Sequence, residues 1–172
     1  ESLRRNEIVV IDKSQPDCDE VVSIPGSMIA NLEPVQNGKL PFRVVPRGYY
    51  PNANIGMLNS LPEGVDASAM APNPSSQGIG PRLGISPLPI SYHDEERNLP
   101  TALVDLVGAE GSIGTWLVSP MLVAPQSFTY EGQEWQIAFR FEREYKPFTV
   151  ELQELKHDIY PGSNIPKQFS SL

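Results

Sequence analysis

The sequence predicts a mainly β, antiparallel fold, a β-sandwich or a partly open barrel, and three observations carry that expectation. First, Gln133–Arg143 alternates, with Trp135, Ile137, Phe139 and Phe141 on one face and Gln136, Arg140 and Glu142 on the other, the period of a half-buried antiparallel strand. Second, apolar runs are separated by short turn signals such as Glu131-Gly132 and Gly108-Ala109-Glu110-Gly111-Ser112, which read as hairpins. Third, 18 of the 172 residues are proline, about twice average usage. Proline removes an amide donor and fixes φ, which excludes long helices. The 13 glycines show no triplet period, so a collagen is excluded as well.

In chain order, Glu7–Asp12 is a short β-branched strand, and Ser27–Leu32 is a short helix. Pro41-Phe42 opens a strand that Tyr50-Pro51 closes, and Asn52–Asn59 has the spacing of a further short helix. Residues 61–100 hold seven prolines, and between Gly64 and Tyr92 the charges are Asp66 and Arg82 alone. Such a stretch reads as a long irregular or polyproline-like connection. It is packed in part through Met70, Ile79, Leu83, Ile85, Leu88 and Ile90. Thr101–Gly108 and Gly114–Ser119 form one hairpin, and Ser127–Tyr130 with Gln133–Arg143 a second. Phe148, Val150 and Leu152 alternate with polar residues as another strand, Glu151–His157 is a possible short helix, and Phe169–Leu172 is mobile or paired to a neighbouring molecule. The expected organisation is one domain over 1–172, with a first β unit at 1–60, the proline-rich connection at 61–100 and a second β unit at 101–172, truncated at its C-terminal end.

The two units rest on an internal similarity. Pro41-Phe42 leads to Tyr50-Pro51-Asn52-Ala53-Asn54-Ile55, and Pro147-Phe148 leads to Tyr160-Pro161-Gly162-Ser163-Asn164-Ile165. In each, Pro-Phe starts a strand and Tyr-Pro turns it, with asparagine capping the turn or accepting a left-handed backbone. The candidate contact residues are therefore Tyr50, Asn52, Asn54, His157, Tyr160 and Asn164. They organise turns and meet a partner; they do not break bonds.

Charge excludes several functions. Thirteen Lys+Arg against 21 Asp+Glu give a net charge of −8 without a basic stripe, so nucleic acid is not an expected partner. The single cysteine, Cys18, leaves neither an internal disulfide nor a cysteine zinc cage. Glu1-Ser2-Leu3-Arg4-Arg5 is not followed by the apolar run of a signal peptide. Gly111–Tyr130 is uncharged over 20 residues, but Pro120 and Pro125 divide it into two strands rather than a membrane span. His93 lies in the charged run Tyr92–Arg97, a solvated surface and not a metal site, and His157 beside Asp158 pins a turn. No G-x-S-x-G elbow is present, and Pro81 with a late third glycine spoils the glycine run at Gly78–Gly84 as a dinucleotide loop. Glu142 and Glu144 share the polar face of a strand, and the stripe Trp135, Phe139, Phe141 is core. No metal site and no catalytic residue is expected.

The series Gly114–Ser119, Phe139–Phe148, Lys156–Pro166 and Phe169-Ser170-Ser171 resembles the ResB-like family of cytochrome c biogenesis proteins. The likeness is strongest over 101–172, weaker over 40–55, and does not include 60–100. It implies the extracytoplasmic (periplasmic) domain of a membrane protein whose spans lie outside this chain. The implied partners are a haem-handling membrane protein and apocytochrome c, and the implied work is non-catalytic. No cofactor is expected on this segment; haem is handled by the full complex, and neither His93 nor His157 matches the family's haem histidines. The alternative from the residues alone is a β-sandwich ligand-binding or enzymatic domain with 61–100 as a lid over an aromatic groove. A purely structural envelope module is a third.

Overall fold

The computed structural model describes residues 5–15, 17–58, 70–93, 96–143, 147 and 151, together with the backbone of 155–159 and 166–171; of 71–72 the backbone alone is described. Its strands are β1 (Asn6–Asp12), β2 (Glu20–Pro25), β3 (Arg43–Tyr50), β4 (Ala53–Met57), β5 (Ala71–Pro72), β6 (Leu83–Pro87), β7 (Thr101–Gly108), β8 (Gly111–Val118), β9 (Gln126–Tyr130), β10 (Gln133–Phe141), β11 (Leu155–Ile159) and β12 (Pro166–Ser171). One helix, α1 (Gly26–Ala30), and a 3-10 turn at Gly80–Arg82 complete the described elements. The strands form antiparallel sheets in the orders β2-β1-β10-β9, β3-β7-β8, β4-β6-β5 and β11-β12. None of these sheets closes on itself among the described residues, so the fold is sandwich-like, with no closed barrel.

Alternation decides what faces what. In β1, Ile8 and Val10 point into the main core with Val22 and Ile24 of β2 and Trp135, Ile137 and Phe139 of β10. Val44 of β3, Ala102, Val104 and Leu106 of β7, and Trp116 and Val118 of β8 meet them from the second sheet. Phe42 sits at the centre, edge-on to Phe128, Tyr130 and Trp135 at 5.6, 5.7 and 5.3 Å between ring centroids. Each such ring pair adds about 0.5–1.5 kcal/mol beyond the area it buries. On the other face of the second sheet, Leu103 and Leu117 pack with Ala53, Leu83 and Ile85 of the third. The middle sheet is therefore covered on both sides, which is why Thr101–Leu106 is buried at six consecutive positions.

The expected hairpins are present. Glu131 and Gly132 both take positive φ, 51° and 77°, as a two-residue hairpin turn matching the strand twist requires. The β7–β8 turn is tighter than expected. Gly108 pairs with Gly111, so β8 starts three residues before Gly114.

Other expectations are corrected. Asn52–Asn59 is not a helix: Ala53–Met57 is β4, because Ala53 and Ile55 pack on the Leu83, Ile85 and Leu103 side chains. Within Glu151–His157, Leu155–His157 belongs to strand β11. The proline-rich connection does build a ladder, since Leu83–Pro87 pairs with β4 and β5. Proline is tolerated there because Pro87 ends its strand and Pro72 lies on the edge strand β5. Gly84 meets a tight approach: a Cβ there would stand 2.9 Å from Leu58 Cδ2 and from Met70 Cβ. Met70, Leu83 and Ile85 are buried as expected, but Ile79, Leu88 and Ile90 are exposed. Phe169–Ser171 pairs with Leu155–His157 of the same chain. The strand expected at Phe148–Leu152 lies outside the described residues. Strands of the 1–60 and 101–172 stretches share sheets, β1 with β10 and β3 with β7.

Candidate functional site

The start of β1 and the end of β10 lie side by side, with Asn6 opposite Phe141 and Glu7 opposite Arg140. Glu7 is only 7% exposed although it carries a carboxylate near the start of its strand. Its carboxylate accepts from Arg140 Nε at 2.8 Å and from the Ser23 hydroxyl of β2. A buried carboxylate needs this pairing, because an uncompensated charge there costs several kcal/mol. Just beyond, Arg5 Nε meets Glu142 Oε2 at 2.9 Å.

Around these residues opens a cleft of about 460 Å³ lined by Arg5, Asn6, Glu7, Ser23, Pro25, Gly26, Ser27, Ala30, Tyr49 and Glu142. A second hollow of about 250 Å³ shares Asn6 and Tyr49 with it and continues past Pro51, Ile90, Ser91, Tyr92, His93, Glu96, Asn98 and Pro100. The two hollows adjoin at the Asn6–Tyr49 pair, which lines both, and form the two lobes of the candidate cleft. Burial raises the Tyr49 phenol above its ordinary value, partly offset by its hydrogen bond with the Asn6 side chain, so the hydroxyl stays protonated at neutral pH.

The wall formed by Ser91–His93 and Glu96–Asn98 is held by local hydrogen bonds. Asn98 accepts from Ser91 N and donates to Ser91 O, both at 2.8 Å. Ser91 Oγ donates to Glu96 at 2.5 Å. Arg97 lies over the Phe141 ring at 5.3 Å, which ties this wall to the end of β10. Tyr92 is left 84% exposed.

Of the residues expected from sequence, Tyr50 is half-buried against the third-sheet cluster. Asn52 is a latch: its Nδ2 donates to Pro89 O at 2.7 Å, its Oδ1 accepts from Leu99 N at 3.0 Å, and its carbonyl accepts from Leu88 N at 2.9 Å. Asn54 is exposed on β4 opposite Ser86. These three do not line the cleft, whereas their neighbours Tyr49 and Pro51 do. The backbone of His157 pairs with Phe169 in β11–β12. Tyr160 and Asn164 lie outside the described residues, and with them most of the second repeat copy. His93 lines the smaller lobe. Cys18 is exposed, with its Sγ 3.1 Å from Gln15 Oε1. Trp135 and Phe139 are core, and Phe141 carries Arg97; Phe139 and Phe141 also border a separate hollow of about 410 Å³.

Sequence reasoning missed Asn6, Glu7, Ser23, Tyr49, Tyr92 and Arg140. One signal was available for Glu7, a carboxylate at the head of the otherwise apolar run Ile8-Val9-Val10-Ile11. Chemically, the cleft offers hydroxyls, amides and neutralised carboxylates, which suit binding. Among the described residues, no group of three His, Cys, Asp or Glu is placed to hold a metal ion. No described helix is long and apolar enough to cross a membrane. Comparison with protein-family models, with curated proteins and with solved structures finds no match.

Proposed function

We propose that this chain is a non-catalytic β module that holds partners during c-type cytochrome maturation, as the extracytoplasmic domain of a ResB-like membrane protein. The observation that carries the non-catalytic part is the use made of the buried carboxylates. Glu7 is committed to Arg140 and Ser23, and Asp105 to Arg47 at 2.9 Å and Ser112 at 2.5 Å. Both acids stabilise sheets rather than stand ready for proton transfer. The particular family reading rests on the motif series, whose described parts fall in β8 (Gly114–Val118), at and just past the end of β10 (Phe139–Arg143) and, as backbone, in β11 and β12.

The test is a binding measurement between this domain and an apocytochrome c carrying reduced Cys-x-x-Cys-His thiols. Saturable binding is the expected result. Failure to bind the apocytochrome, together with failure to associate with a haem-handling membrane partner in detergent, overturns the reading. Titration with haem is expected to leave the Soret band unshifted.

One observation favours a second reading, a ligand-binding domain in which the 61–100 segment walls the site. Ile90, Ser91, Tyr92, His93, Glu96 and Asn98 line the smaller lobe directly.

A further inference from the structure

We propose that the two-lobed cleft divided by Asn6 and Tyr49 binds a neutral, polyhydroxylated ligand, an uncharged glycan. This rests on the geometry of the cleft and is independent of the cytochrome-maturation reading.

Charge narrows the choice first. The chain carries −8, and among the described residues the cleft is lined by the carboxylates of Glu7, Glu96 and Glu142, which disfavours phosphates, nucleic acids and acidic glycans. Two of those carboxylates face an arginine, Glu7 with Arg140 at 2.8 Å and Glu142 with Arg5 at 2.9 Å. The field left to select a cation is correspondingly small. A neutral ligand is what remains.

Hydrogen-bonding capacity narrows it further. A carboxylate has about four acceptor sites; Glu96 accepts one bond from Ser91 and Glu142 one from Arg5. An oligoproline brings no N–H donors along its backbone and would dry these lone pairs without replacing their water, at about 1–3 kcal/mol for each group left unsatisfied. A polyol brings donors and acceptors together. It also suits the Ser23 and Ser27 hydroxyls, the Asn6 amide and the protonated Tyr49 phenol that line the larger lobe.

The third observation is Tyr92. The ring is 84% exposed and borders the smaller lobe, on a wall stapled by the Asn98–Ser91 pair and anchored through Arg97 on Phe141. The electron-rich face of such a ring accepts the C–H face of a sugar. Aromatic rings beside convergent polar groups are the usual composition of a ligand site.

The experiment titrates the whole chain with neutral cello-, malto- and chito-oligosaccharides by calorimetry, and with the same probes by amide chemical shifts. The expected result is saturable binding of at least one probe, with shifts centred on Ser23, Tyr49, Tyr92 and Asn98. Tyr92→Ala is expected to weaken it by about tenfold, with the urea midpoint unchanged because the ring is exposed. Glu96→Gln is expected to weaken it less. Absence of binding by every probe overturns the proposal, and so does binding that Tyr92→Ala leaves intact. Binding of an uncharged oligoproline through the same residues, in place of the sugars, overturns it in favour of peptide recognition.

Discussion

Two buried carboxylates are held in opposite ways, and the difference shows how this fold sets strand register. Glu7 lies directly opposite Arg140 in the β1–β10 ladder. Asp105 in β7 lies opposite Val45 and Thr115, and its partners Arg47 and Ser112 reach it diagonally. Both diagonals cross irregularities, at Pro46/Gly48 in β3 and at Leu106/Val107 in β7. Both acids sit on faces turned away from the shared core, beside Ile8 and Val10 in one strand and Val104 and Leu106 in the other. The side chain of Arg140 is 22% exposed, that of Arg47 55%. A direct, shielded pair specifies one register, because a one-residue slip would turn Glu7 into the core. A diagonal, wet pair tolerates replacement by water.

The comparison breaks most clearly at Arg140. Arg140→Ala leaves Glu7 buried without its cation and is expected to cost about 3–5 kcal/mol in urea unfolding. Replacing both partners, Glu7→Leu with Arg140→Met, removes the buried charge and is expected to recover most of that loss, to within about 1–2 kcal/mol of wild type. A double variant as unstable as Arg140→Ala would show that the pair contributes more than mutual neutralisation. Arg47→Ala is expected to cost only about 1 kcal/mol, since its guanidinium is half in water and Asp105 keeps Ser112. An equal loss at the two arginines would erase the distinction. The smallest effect belongs to Tyr49→Phe, a few tenths of a kcal/mol at neutral pH, about what one partly exposed hydrogen bond contributes. Its signature is at alkaline pH. The folded chain holds the Tyr49 proton more tightly than the unfolded chain, whose phenol titrates near 10.0, so the unfolded state binds fewer protons as pH rises past that value. Wild-type stability therefore falls above about pH 10, and Tyr49→Phe is expected to flatten that fall.

What was legible from sequence follows where local pattern and tertiary demand agree. β1, β7 and the β9–β10 hairpin were readable because alternation and turn chemistry are properties of adjacent residues. The short helix expected at Ser27–Leu32 appears as Gly26–Ala30. β6 was not readable. Leu83-Gly84-Ile85-Ser86-Pro87 carries two apolar side chains in a proline-rich stretch, and its strand character comes from pairing with β4, some thirty residues earlier. β4 was misread for the same reason: the spacing of Asn52–Asn59 suits a short helix, and only burial of Ala53 and Ile55 against the middle sheet selects the extended form. The cleft was illegible because Asn6, Tyr49, Tyr92 and Glu142 are scattered along the chain and converge only when the ends of β1, β3 and β10 meet.

By itself the sequence determined the class of fold and the acidity of the surface, since period-two burial, hairpin turns and net charge are written in neighbouring residues. It also kept proline out of β7 and β10, which lie inside their sheets: Thr101–Gly108 and Gln133–Phe141 contain none. Tertiary structure alone decided that the proline-rich stretch would supply a third layer, that Glu7 and Asp105 would be buried, and that Tyr92 would stand exposed beside a polar cleft. Each of those outcomes depends on contacts between distant segments, and no periodicity within one segment encodes which distant surface it will meet.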